Sequence, residues 1–156
     1  MKQRWMPIGV LAVALFAVNV VARLVSRLGF PDNDTAENRI SIAMFAVIGL
    51  VLAVLAFRRS QRVPIGTWLP DLAAAALIGM LLTILVGPFI SGDAPFSGGA
   101  GNFFSQVWLY GGFAIVGTAL GYWIATMLGR DYRSQSLKAY AQNRIARTRT
   151  RKVVRR

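Results

Sequence analysis

Asp71 is the one acidic residue inside a long apolar run of this 156-residue sequence. A carboxylate in such a run is a candidate proton carrier or substrate ligand. Its neighbours point elsewhere. It follows Pro70 directly, and Pro then Asp reads as a helix N-terminus, where the carboxylate meets the positive end of the helix dipole. Arg58, Arg59 and Arg62 lie shortly before it and offer ion-pair partners. Asn19 is the other notable polar residue within an apolar run, with Arg23 four residues on, on the same helical face. An interhelical hydrogen bond from Asn19, and a stretched Arg23 stem that carries its charge to the interface, account for the pair. A polar site built on Asn19 and Asp71 is the sharper alternative.

Most other chemistry is excluded by composition. The chain has no Cys and no His, which removes disulfides, thiol nucleophiles, thiolate or imidazole metal sites and His-ligated haem. Asp32, Asp34 and Glu37 cluster in one loop but lack the further ligands and the Gly of a calcium-binding EF-hand loop. No nucleophile–base pair is visible. The expectation is a non-enzyme with no cofactor and no metal.

The elements that carry these residues are apolar helices. The chain is 55% hydrophobic, against about 45–50% for a soluble domain, and the excess sits in runs. Val107–Leu128 is uncharged, with Trp108 and Tyr110 near one end and Tyr122 and Trp123 near the other. Aromatics favour the headgroup level at both faces of a bilayer. The first run, Met6–Val21, is long for the apolar centre of a signal peptide, about 7–15 residues. The pattern predicts an all-α integral membrane protein with four spans, over about 6–24, 40–57, 68–90 and 104–128. Short connections arrange them as antiparallel hairpins. Residues 1–128 form the membrane domain and 129–156 a basic tail.

Several local signals punctuate this layout. Gly29 and Pro31 break the first helix, and Asp34 with Glu37 resembles a capping box for the second. Gly87-Pro88 ends or kinks the third. Ala73–Ala76 and Gly79 form a small-residue surface there. Gly117, Gly121 and Ala125 fall four apart, a small-xxx-small face that lets two backbones approach. The loop Ser91–Asn102 is Gly-rich and reads as flexible coil.

Charge sets the orientation. With both termini on one side, that side carries 15 of the 18 Lys and Arg residues, while Arg23, Arg27 and Arg39 lie on the other. The positive-inside rule puts both termini in the cytoplasm. Arg outnumbers Lys 15 to 3, a bias of GC-rich bacterial genomes, so a bacterial plasma membrane is the expected location. Leu137, Tyr140, Ala141 and Ile145 fall at helical spacing, which predicts an amphipathic helix over Gln135–Arg147, with a mobile end beyond it. Arg58, Arg59, Arg62, Arg130, Arg133, Lys138, Arg144 and Arg147 are the candidate contacts to anionic lipid headgroups or a partner. The tail has few aromatics, so lipid or an acidic protein face is favoured over nucleic acid. The function expected is a non-catalytic accessory subunit packed against a larger membrane complex, another membrane protein or a second copy. A small transporter, channel or holin-like pore is one alternative. A membrane-anchored adaptor acting through its tail is another.

Overall fold

The computed structural model describes residues 2–30, 34–92, 94, 96 and 99–151, with side chains for 5–30, 35–90, 92, 94, 96 and 99–146. The side chains of Asp34 and Arg147, and the whole of Asp93, lie outside that set. Every regular element among the described residues is helical. They are α1 (Lys2–Gly29), α2 (Asp34–Ser60), α3 (Ile65–Leu81), a π-helical turn (Leu82–Val86), α4 (Gly87–Ser91), α5 (Gly99–Met127) and α6 (Tyr132–Arg151). Among the described residues, four helical stretches are long and apolar enough to cross a membrane, led by α1, α2, the run from α3 to Ile90, and α5. At about 1.5 Å per residue, the 29 residues of α5 extend roughly 43 Å.

Each helix overruns its apolar run into the polar flanks. Hydropathy marks the apolar slab, whereas the backbone ladder continues as long as the next residue can donate. One overrun corrects a reading of the sequence. α3 starts at Ile65 with Pro64 as its N-cap residue, so Pro70 lies inside the helix and Asp71 sits on its second turn. Asp71 therefore does not cap the helix. Pro64, with φ of −63°, presets the start that Pro70 was expected to set.

Each long helix buries one stripe. In α1 it is Ile8, Ala12, Leu15 and Asn19; in α3, Trp68, Leu72, Ala75 and Gly79; in α5, Tyr110, Ala114, Gly117, Gly121 and Ala125. Spacings of three and four keep each set on one face. In α2, Phe45, Ile48, Leu52 and Ala56 supply the centre of the core. Contacts between stripes give the directions. Gly49 and Ala53 of α2 lie against Gly117 and Gly121 of α5, so α2 and α5 run the same way. Ala12 and Asn19 of α1 lie against Gly79 and Gly87, so α1 runs with the third stretch. Trp68 meets Tyr122 while Gly79 meets Tyr110, so α3 and α5 run oppositely.

The small face of α5 packs within this chain. A Cβ at Gly117 would lie 2.8 Å from the Gly49 Cα, and one at Gly121 would lie 2.8 Å from the Ala53 Cα. The two backbones touch, with Cα–H groups of α5 against carbonyl oxygens of α2, a weak but recurring attraction between closely packed helices.

Pro88 explains the π turn. In an α-helix it would leave the Ile84 carbonyl without a donor and press its ring on it. The helix widens just ahead, where the Gly87 N–H bonds to the Leu82 carbonyl, an i−5 bond. The helix is thus neither ended nor simply kinked at Gly87-Pro88; it continues to Ser91.

Candidate functional site

A groove of about 490 Å³ lies between α3 and α5. Its origin is local. At one end the Trp68 indole and Tyr122 ring meet with centroids 6.1 Å apart. At the other, the Tyr110 ring crosses from α5 to α3, and its hydroxyl sits 2.8 Å from where a Cβ on Gly79 would be. These large groups prop the helices apart. Between the props, Ala73, Ala76, Gly111, Ala114 and Ala119 are too small to fill the gap. The lining is almost wholly apolar. The Trp68 Nε1 and the Tyr110 hydroxyl are buried, with no hydrogen-bond partner among the described residues.

A polar cluster lies against the π turn. Asn19 is 1% exposed, and its amide donates to the Met44 sulfur on α2 at 3.0 Å. Its carbonyl oxygen accepts from Arg23 Nε at 3.2 Å. The guanidinium and the Asn19 oxygen lie over the bare Cα of Gly87, each 2.9 Å from where a Cβ would project. Arg23 was expected to stretch toward the interface; it is half-buried and folded back along α1. One turn on, Arg27 donates to the Ile90 carbonyl at 3.0 Å. The Thr83 hydroxyl in the π turn is buried, without a hydrogen-bond partner among the described residues. This cluster ties α1 to the irregular helix. It does not include Asp71, which is half-buried near the start of α3, so the structure does not unite the two polar candidates.

The third feature is the joint between α5 and α6. Gly129 has φ of 59°, a left-handed conformation that Gly adopts without strain. Arg130 N–H bonds to the Ala125 carbonyl at 3.0 Å and Gly129 N–H to Thr126 at 2.9 Å, the paired bonds of a Schellman motif. Asp131 then caps α6, accepting from the Ser134 N–H at 3.3 Å. Its carboxyl is held below the usual carboxylate range, first by a hydrogen bond from the Ser134 side chain, against the opposing pull of burial, and further by backbone N–H groups. Gln135 and Lys138 reach back to the carbonyls of Arg130 and Gly129. The joint is an ordered elbow. The helix beyond it continues to Arg151, and the remainder of the segment expected to be mobile lies outside the described residues.

Among the predicted contact residues, Arg58, Arg62, Arg130, Arg133, Lys138 and Arg144 are exposed and Arg59 is half-buried. Gly117 and Gly121 form the seam with α2, and Ala125 is buried on the same face of α5. Tyr110, expected at a headgroup level, is 1% exposed in the core. α5 begins eight residues before Val107, which moves Tyr110 away from the helix end. Among the described residues, no group of three or more acidic, His or Cys side chains could hold a metal ion. No known protein family, curated protein or solved structure matches this chain.

Proposed function

We propose that this chain is a non-catalytic membrane subunit, with both termini cytoplasmic, whose α3–α5 groove receives a transmembrane helix of a larger partner. The membrane reading is supported by the outward faces. Val10, Leu50 and Ile115 are each more than 60% exposed, and they stand among many other exposed apolar residues. A soluble monomer rarely carries apolar patches beyond a few hundred Å², whereas in lipid such a surface costs nothing. The orientation rests on the distribution of basic residues.

The groove is the observation that carries the partner reading. Burying apolar surface gives no net drive in lipid, so helices associate through close contact across small residues. Small residues lie both at the α2–α5 contact and along the groove. Gly117 and Gly121 are used internally against α2, with Ala125 buried on the same face. The groove lined by Ala73, Ala76, Gly111 and Ala119 is left open, and a helix face suits its almost wholly apolar lining.

Photo-crosslinking tests this reading. A benzophenone amino acid at Ala73 or Ala119 is irradiated in intact membranes. The expected product is one discrete protein adduct from both positions, lost when Ala76→Phe fills the groove. Adducts of lipid mass alone at both positions would overturn the reading and make the groove a lipid-chain site.

A further inference from the structure

We infer that α6 is an interfacial helix, laid by the elbow on the anionic surface of the leaflet where α5 ends. This goes beyond the partner reading and rests only on its claim that α5 spans the membrane. Four observations carry it. First, α6 makes no extended contact with any other helix among the described residues, yet it is a regular 20-residue helix. Its apolar residues are thus left uncovered by the helices of the bundle. Second, its mounting is fixed. The left-handed Gly129, the Asp131 cap and the bonds from Gln135 and Lys138 hold the joint, so α6 leaves α5 in a defined direction rather than as a loose tail. Third, Leu137, Tyr140 and Ile145 are each more than 60% exposed and share one face. Arg133 precedes Leu137 by one turn, and Arg144 follows Tyr140 by one turn, on that same face. A dry protein groove would have to bury those two guanidinium groups. A bilayer surface takes the apolar tips below the headgroups and lets the long Arg stems carry their charges up to phosphate. Fourth, α6 has six basic residues and no acid, which matches an anionic leaflet.

Position selects the bilayer over an acidic protein. Met127 and Leu128 are 71% and 57% exposed, and the elbow follows at once. α6 therefore begins at the level where the apolar slab ends, beside the headgroups.

The experiment uses the full chain in nanodiscs, with one Cys at a time, since the native chain has none. Each Cys carries a fluorophore that spin-labelled lipids quench. The sites are Leu137→Cys and Ile145→Cys on the apolar face, Ala139→Cys and Ala146→Cys opposite, and Ile115→Cys within α5. Discs contain either a phosphatidylglycerol–phosphatidylcholine mixture or phosphatidylcholine alone. In the anionic discs, quenching at 137 and 145 is expected to exceed that at 139 and 146 several-fold. The contrast should shrink in neutral discs or when Arg133 and Arg144 are both changed to Gln. Equal quenching at all four α6 sites, with Ile115→Cys strongly quenched, would overturn the inference and leave α6 for a protein partner. An unquenched Ile115→Cys would instead show that α5 does not span, and both readings would fall.

Discussion

Gly79 illustrates how one missing side chain shapes this bundle. The Tyr110 hydroxyl occupies the space a Cβ would need, 2.8 Å away, with the Leu15 Cβ at 3.3 Å behind it. Gly79→Ala should destabilise the protein in detergent by about 1–3 kcal/mol, the usual cost of forcing atoms into a packed core. Tyr110→Phe removes the colliding oxygen. That hydroxyl has no hydrogen-bond partner among the described residues, so the single change should be near neutral, and the double variant should recover most of the loss. Thermal unfolding of the four proteins checks this. An unaffected Gly79→Ala, or a double variant as weak as Gly79→Ala alone, would refute the steric account. In the sequence, Gly79 was legible as part of a small-residue surface. Its partner was not, because Tyr110 stands thirty-one residues away and reads as an interfacial aromatic until α5 is seen to start at Gly99.

The α2–α5 pair shows the same division between local and distant information. Spacing alone places Gly117, Gly121 and Ala125 on one face. It cannot say whether the opposing backbone belongs to this chain. The contact with Gly49 and Ala53 gives the answer, and it withdraws this face from any partner. Gly121→Leu would drive a branched side chain into the Ala53 backbone, and it should lower the yield of folded protein severalfold. Leu120→Ala removes a side chain that is 45% exposed and should be nearly silent. Size-exclusion profiles of the two variants in one detergent decide the matter; matching profiles would mean the seam contributes nothing. The third stretch was harder to read. Pro70 and Pro88 both looked like boundaries, but α3 runs through Pro70 without ending, and a π turn absorbs Pro88. Whether a proline ends a helix depends on whether neighbours hold the chain on course beyond it, here Arg23 and Arg27 against Gly87 and Ile90.

For the whole molecule, orientation is the property to test. Single-Cys variants in intact cells, treated with an impermeant thiol reagent, should label at Glu37→Cys and Asn102→Cys, which replace exposed residues of the expected outer side. Val63→Cys and Ser136→Cys, also exposed, should label only after lysis. Ser60 is 2% exposed and would be a poor probe of the inner side. The reverse pattern would invert the topology and remove α6 from the cytoplasmic leaflet.

The sequence by itself determined that four helices are long and apolar enough to cross a membrane, and where the positive charge collects. Both follow from properties summed over a continuous stretch, which no folding partner can alter. Only the tertiary structure decided which small faces are consumed internally, that Tyr110 is core, that Arg23 turns inward onto Asn19, and that a groove lies open between α3 and α5. Each of these depends on which residue meets which across the bundle. The groove lies between two large contacts, Trp68 with Tyr122 and Tyr110 with Gly79, where Ala73, Ala76, Gly111 and Ala119 are too small to fill the gap. No periodicity within one helix encodes that gap.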